Sequence, residues 1–327
     1  MSAFPARPMI GFAHVAYRFG ERFPLRNTGL DFVSITSRED LAARIGELDV
    51  LVVSGFWRND LAPAAKRLRF IQSISAGVDQ YDKAVLAAHG IALASAQGAN
   101  ARAVSDHAMA LVLALYRRIP EARDNQAKRV WRGMIGDLFG REDELGGKTM
   151  LVVGIGGIGG RLARLAKAFD MTVIGIRGNP AAGRGDADEV HGLAALHDVL
   201  PRADVVALTC PLTPETTGLI GAEALARMKP GAVLVNVARG KVVDTQALVA
   251  ALEAGRIAGA ALDVTEPEPL PADSPLWAMP NVLITPHTGG ETRSYEDNVI
   301  DLLLENLGRL GRGERTLKNQ IVAPLAG

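Results

Sequence analysis

Leu151-Val152-Val153 runs without a break into Gly154-Ile155-Gly156-Gly157-Ile158-Gly159, and a helical pattern starts at once. That order restricts the fold more than any other feature of the chain. An apolar strand must turn sharply into a helix, and three glycines at this spacing each answer a steric demand. Gly154 allows the tight turn, Gly156 lets backbone approach a pyrophosphate, and Gly159 lets the helix pack on the strand. The helix N-terminus then favours phosphate charge. Taken alone the glycines could mark an ordinary strand-to-helix turn; in this context they predict a dinucleotide loop.

The surrounding chain repeats the same rhythm. Apolar runs at residues 9–16, 32–36, 50–55, 70–75 and 91–96 alternate with helical patterns at 41–48, 62–67 and 81–89. Continuous apolar strands separated by helices imply parallel sheets covered on both faces. A long helix starts at Asn100 or Ser105, with Val104, Ala108, Leu111, Val112 and Leu115 on one face. Pro120 stops or restarts it, and a second helix covers 121–131. Further strands are expected at 149–154, 172–177, 205–209, 232–237, 260–264 and 282–285. Helices are expected at 158–169, 193–200, 222–228 and 245–253, and a last one, 291–310, is long enough to cross between domains.

The expected fold is α/β, with two doubly wound parallel-sheet domains and a cleft between them. A flavodoxin-like substrate domain takes residues 1–99 plus 290–327. A Rossmann dinucleotide-binding domain takes 100–289.

Charge and cysteine content narrow the function. The 327 residues hold 36 basic and 36 acidic side chains, so no excess positive charge is available to attract nucleic acid or an anionic membrane. Cys210 is the sole cysteine, which excludes an internal disulfide and a multi-cysteine metal site and fits a reducing compartment. No apolar run reaches membrane-spanning length, and Met1–Phe12 does not read as a secretion signal. The expectation is a cytoplasmic protein that handles a small molecule, without a metal.

A nucleotide selective for NAD usually meets a carboxylate about twenty residues past the loop, at the end of the next strand. Here Val173-Ile174-Gly175-Ile176 ends in Arg177, with Arg184 nearby and no acid until Asp186. A cation suits a 2′-phosphate. NADP is therefore the expected cofactor, with NAD possible if Arg177 is merely a solvated strand-end arginine.

Three residues downstream carry acid–base and anion-binding chemistry. Arg239 sits in Asn236-Val237-Ala238-Arg239-Gly240, Glu268 in Pro267-Glu268-Pro269-Leu270-Pro271, and His287 in Pro286-His287-Thr288-Gly289. A guanidinium grips a substrate carboxylate and polarises a carbonyl. A histidine titrates near neutrality and can donate a proton. A carboxylate beside it would fix its tautomer and favour imidazolium. Each has a plain alternative: a turn-capping arginine, a loop histidine, a solvated glutamate. Their shared placement at carboxyl ends of parallel strands, where ligands bind such sheets, favours the chemical reading.

With these segments the chain resembles the D-isomer-specific 2-hydroxyacid dehydrogenase family, in its glyoxylate/hydroxypyruvate reductase-like branch. Ser75-Ala76-Gly77-Val78-Asp79, Cys210-Pro211-Leu212-Thr213 and Met228-Lys229-Pro230-Gly231 match it too, so the resemblance spans roughly residues 70 to 290. It implies that Arg239 binds substrate, Glu268 supports the histidine, and His287 is the acid/base. It also implies that backbone N–H groups of Ala76, Gly77 and Val78 bind the substrate carboxylate. Gly154, Gly156, Gly157, Ile158, Gly159, Arg177, Cys210, Pro211, Thr216, Val237, Ala238, Asp263, His287 and Gly289 would line the cofactor site, with Asp263 at the nicotinamide carboxamide. A homodimer through the nucleotide-binding domain is implied, with Phe139 closing the neighbouring subunit's pocket. Two departures stand out. Asp106 replaces the family's glutamate in Val104-Ser105-Asp106-His107, and Asp170 follows Phe169 where glycine is common. His107 reads as a structural or dimer-interface residue.

The expected reaction is reduction of a small 2-oxo acid, with glyoxylate or hydroxypyruvate favoured. Phe56 and Trp57 could wall off the substrate side chain or simply pack. No dense basic cluster suggests a phosphorylated substrate, although Arg58 leaves that open. Two rivals share the fold: a cofactor-sensing corepressor-like protein, and a formate- or phosphite-type dehydrogenase.

Overall fold

The structure is a computed structural model and describes residues 4–324, apart from the side chain of Phe139. The chain forms two compact units. One holds the chain up to Asn100 together with the chain from Thr292 onward; the other is Ala101–Glu291.

The first unit is built on β1 (Ile10–Ala13), β2 (Phe32–Ile35), β3 (Val50–Val53), β4 (Phe70–Ser73) and β5 (Ala92–Ala94). These five are parallel, in the order β5-β4-β3-β1-β2. Val50, Leu51, Val52 and Val53 are all fully buried, as a central parallel strand covered on both faces requires. Helix Tyr295–Gly311 covers one face, where Val299, Ile300 and Leu303 pack with Phe12, Phe19 and Phe70. This helix belongs wholly to the first unit and does not cross between units, because its buried stripe is spent on that core.

The second unit carries seven strands: β6 (Thr149–Val153), β7 (Thr172–Ile176), β8 (Glu189–His191), β9 (Val205–Leu208), β10 (Val233–Asn236), β11 (Gly259–Leu262) and β12 (Val282–Ile284). All pair in parallel, in the order β12-β11-β10-β9-β6-β7-β8. The order reverses between β6 and β9, which makes their carboxyl ends the crevice where such sheets bind ligands. Helix Ala101–Tyr116 buries Val104, Ala108, Leu111 and Val112 against Leu162 and Ala163 of helix Gly157–Ala168 and against the sheet. Leu115, placed on the same stripe, is only half-buried.

Three further expectations change. Residues 62–67 form turns after a short 3₁₀ segment, Asn59–Leu61, and not a helix. Pro63 lacks an N–H and disfavours helical backbone at Ala62. Edge strand β8 was not expected, because Glu189-Val190-His191 has no apolar run to signal it. The first sheet is also not purely parallel: β13 (Gln320–Val322) adds an antiparallel edge on β5, with a register irregularity between Gln320 and Val322.

Candidate active site

The glycine turn meets its steric requirements atom by atom. Gly154 has φ +107°, and a Cβ there would lie 2.6 Å from the Cys210 backbone nitrogen. Only glycine lets β6 leave the sheet so close to the end of β9. A Cβ on Gly159 would lie 2.2 Å from the Gly154 carbonyl oxygen, so the third glycine seats the helix on its strand. Gly156 faces open space, and helix Gly157–Ala168 begins there without a side-chain cap. First-turn N–H groups and an unobstructed backbone are what a pyrophosphate needs, so these residues fit a dinucleotide. Gly156→Ala is expected to leave thermal stability near wild type yet weaken nucleotide binding about tenfold or more. Gly159→Ala should instead lower the melting temperature. Calorimetry paired with nucleotide titration separates the two, and equal behaviour would contradict the assignment.

Arg177 follows β7, as expected, and its Nη1 donates to the Gly183 carbonyl at 2.8 Å. Arg184 lies on the same loop and reaches the Asp188 carbonyl. Beyond β9, Thr216 donates to the Pro211 carbonyl at 2.7 Å and accepts from the Thr213 N–H at 2.8 Å, which shapes the Cys210–Thr217 loop. Cys210 is buried, and desolvation pushes its thiol pKa up to about 11, so it is held as an unreactive thiol.

Arg239 follows β10, and its presentation is built by its neighbours. The Asn236 side chain accepts from the Ala238 N–H and donates to the Arg239 carbonyl, both at 3.0 Å, closing the turn. Val237 and Ala238 are buried beneath it. Gly240 lets the segment after β11 pass against this turn, since a Cβ there would lie 1.9 Å from the Thr265 carbonyl oxygen. That segment leads to Glu268, whose Oε1 is 2.6 Å from Nδ1 of His287. Both side chains are partly open to solvent, 45% for His287 and 42% for Glu268. An ionised carboxylate only accepts, so Nδ1 carries a proton and Nε2 is the nitrogen left for other chemistry.

Behind His287 lies a cluster that spacing alone did not reveal. Asp263 follows β11 and is 4% exposed. Its Oδ1 accepts from the Thr285 hydroxyl at 2.7 Å and the Thr288 N–H at 3.0 Å, and its Oδ2 from the Gly289 N–H at 3.0 Å. His107 Nε2 stands 2.9 Å from Thr285 Oγ1 and 3.3 Å from Asp263 Oδ1. Burial raises the Asp263 pKa, but the hydrogen bonds from His107, Thr285 and Gly289 outweigh it and hold the carboxyl below its usual range. Both carboxylate oxygens of Asp263, expected at a carboxamide, are thus engaged by protein donors. Asp106, the departure at the start of the long helix, pairs with Arg161, whose Nη1 also donates to the Arg102 carbonyl at 3.1 Å. The shorter carboxylate still ties the two helices together.

In the first unit, Ala76, Gly77 and Val78 follow β4 as half-buried loop residues. A polar chain braces this loop. Gln80 donates to Ser54 Oγ at 3.2 Å, and Ser54 Oγ lies 2.6 Å from Ser75 Oγ. The sequence held no motif for this chain. Trp57 is 4% exposed and packs near Tyr81, with its indole N–H on Asn59, so burial favours packing over a wall facing substrate. Phe56 is half-buried at the edge of the same core. The Phe139 side chain lies outside the described residues. His14, after β1, was also missed; its Nδ1 accepts from the Ala16 and Tyr17 N–H groups at 3.0 and 2.9 Å, which puts its proton on Nε2. Burial lowers its pKa against the opposing charge of Glu296.

A glycine turn placed where a parallel sheet reverses its strand order defines the Rossmann class of dinucleotide-binding folds, and the Ala101–Glu291 unit is of that class. Residues 109–289 match the sequence model described as "D-isomer specific 2-hydroxyacid dehydrogenase, NAD binding domain". The chain belongs to that family. It is 35% identical to the D-3-phosphoglycerate dehydrogenase of Archaeoglobus fulgidus over 88% of its own length, and spans about half (55%) of that longer relative. It is 36% identical to the glyoxylate reductase of Korarchaeum cryptofilum, covering 85% of this chain and 84% of that one. A crystal structure of the NADPH-dependent glyoxylate/hydroxypyruvate reductase of Sinorhizobium meliloti, with NADP and malonate, superposes with a TM-score of 0.78 at 28% identity, covering 97% of each chain. Among the described residues, no helix is long and apolar enough to cross a membrane.

Proposed function

We propose that this chain reduces a small, unphosphorylated 2-oxo acid to the D-2-hydroxy acid, with glyoxylate or hydroxypyruvate as favoured substrate and NADPH as preferred cofactor. The observation that carries this reading is the 2.6 Å contact between His287 Nδ1 and Glu268. It dedicates one ring nitrogen to the carboxylate and leaves Nε2 for the substrate. Gly154, Gly156, Gly157, Ile158 and Gly159 would hold the pyrophosphate, and Arg177 the 2′-phosphate. Bound there, the reduced nicotinamide supplies the hydride for C2.

Every other step falls to the protein. Arg239 neutralises the substrate carboxylate and draws electron density from the carbonyl. The imidazolium of His287 holds at Nε2 the proton that the carbonyl oxygen takes as C2 is reduced. Glu268 keeps the ring oriented and balances the positive charge before that transfer. In the first unit, the Ala76, Gly77 and Val78 backbone offers N–H groups suited to carboxylate oxygens, and half-buried Phe56 is the side chain assigned to limit substrate bulk.

The preference for an unphosphorylated acid rests on spent cations. A phosphate dianion needs arginines that are not already neutralised. Near the carboxyl ends of the first sheet, Arg58 is paired with Asp60 and Arg18 with Glu21. Names borne by the Korarchaeum cryptofilum and Sinorhizobium meliloti relatives support the same choice. The Sinorhizobium meliloti complex with NADP supports the cofactor preference, together with Arg177.

A homodimer is part of this reading. Ile119, Val130 and Leu138 are exposed apolar residues, and Trp131 and Met134 among them are 99% and 103% exposed. Apolar surface of that kind marks an interface. Light scattering should return twice the chain mass.

The test is oxidation of NADPH and NADH by purified protein with glyoxylate, hydroxypyruvate, 3-phosphohydroxypyruvate and phenylpyruvate. Saturable turnover on the first two, faster with NADPH, is the expected result. Arg177→Asp should then shift the NADPH/NADH ratio of kcat/KM toward NADH; an unchanged ratio would refute the role given to Arg177. Nucleotide binding without turnover on any acid would sink the reductase reading and favour a sensing role.

A further inference from the structure

Three successive backbone N–H groups at the His287 turn bond to two residues, Thr285 and Asp263. The His287 N–H bonds to the Thr285 carbonyl at 3.0 Å. The next two N–H groups, of Thr288 and Gly289, bond to Asp263. Between them His287 itself has φ +56°, a left-handed backbone state uncommon for a non-glycine residue. The backbone from which the imidazole projects is therefore held by Asp263 and Thr285, while Glu268 holds the ring at Nδ1.

Thr285 is in turn controlled by a residue 178 positions earlier, on helix Ala101–Tyr116. His107 Nε2 is 2.9 Å from Thr285 Oγ1, and Thr285 Oγ1 is 2.7 Å from Asp263 Oδ1. A threonine hydroxyl carries one proton, and an ionised carboxylate can only accept. The hydroxyl proton must go to Asp263. Its lone pair must then accept from His107, which carries its own proton on Nε2. The chain of donors runs one way, from His107 to Thr285 to Asp263. Without His107, the Thr285 hydroxyl loses the donor that fixes its lone pair, and Asp263 Oδ1 loses the second side-chain donor beside it, His107 Nε2 at 3.3 Å.

We infer that His107 and Thr285 are positioning residues for His287, acting through the Asp263 carboxylate on the turn that aims the imidazole. The inference rests on the reading of His287 as proton donor. It moves His107 from a structural or interface role to one in turnover, without contact with substrate. Misaligning a reacting group by about 1 Å from a distance can cost roughly 10²-fold in rate, and loss of the outer hydrogen-bond partner of a metal-bound histidine costs a comparable ~10–100-fold.

Four variants test it: His107→Phe, His107→Gln, Thr285→Val and the His107→Phe/Thr285→Val pair. The phenylalanine and valine variants should lower kcat about 10–100-fold, with nucleotide Kd and Tm close to wild type. The pair should lose little more than the worse single variant, because both sever one chain. Glutamine offers an amide N–H in place of Nε2 and should recover most of the rate. Hydrogen exchange supplies a reading independent of activity: the Thr288 and Gly289 amides should exchange faster in His107→Phe. Wild-type kcat in His107→Phe overturns the inference. So does a loss that tracks Tm or nucleotide binding and is not rescued by glutamine, since that is what a purely structural histidine would do. If the wild type reduces no 2-oxo acid, the proposed function fails instead, and unchanged exchange at the two amides would still overturn the positioning role.

Discussion

Replacing His287 with alanine is expected to lower kcat by about 10²–10⁴, the range for loss of a general acid, while nucleotide affinity changes little. The structure explains why the effect should be chemical. The backbone of the turn is held by Asp263 and Thr285, not by the imidazole. Removing the ring leaves those bonds in place and strips the protein of the proton held at Nε2. His287→Asn is the companion variant, because asparagine tolerates left-handed backbone better than alanine and so controls for local strain. Both should show the same loss in kcat on 2-oxo acids, measured beside nucleotide Kd by fluorescence titration. A kcat within a few-fold of wild type in either would end the acid/base assignment.

Gly240→Ala should damage folding and activity together. A methyl group there would lie 1.9 Å from the Thr265 carbonyl oxygen, 2.1 Å from its carbon and 2.7 Å from the Glu266 nitrogen. All three are backbone atoms, so no rotamer change relieves the clash. Relief requires the turn carrying Arg239 to separate from the segment leading to Glu268. Overpacking of this kind costs about 3 kcal/mol, or roughly 6–12 °C in Tm for a domain of this size. Turnover should fall even where the variant remains folded, because Arg239 and Glu268 sit on opposite sides of the displaced contact. Gly231→Ala is the control, since nothing lies within 4 Å of a Cβ at that position. Equal melting temperatures for the two variants would show that the 240/265 contact is looser than these distances imply.

The same comparison shows what could be read before folding. Gly154, Gly156 and Gly159 were legible because turn, approach and helix packing are set within six residues. Asn236 supports Arg239 in the same local way, whereas the reason for Gly240 lies in Thr265, 25 residues on. Ranges such as Thr245–Glu253 and Thr149–Val153 followed from apolar period and length. Edge strands β8 and β13 were not legible, because three residues at a sheet edge need no apolar run and take their partner from elsewhere in the chain. The turns at 62–67 show the converse, a helical pattern overridden by one proline.

Residue type and short spacing, then, were enough to place two doubly wound sheets, the nucleotide turn and the arginine, glutamate and histidine offered for catalysis. Those signals are local, and the chain writes them out in order. Folding alone decided that Trp57 belongs to a core, that Asp263 turns its oxygens onto the 288–289 backbone, and that His107 reaches Thr285. These are contacts between residues 22 to 178 positions apart. Their partners are selected by how strands and helices stack, and a linear spacing carries no record of that choice.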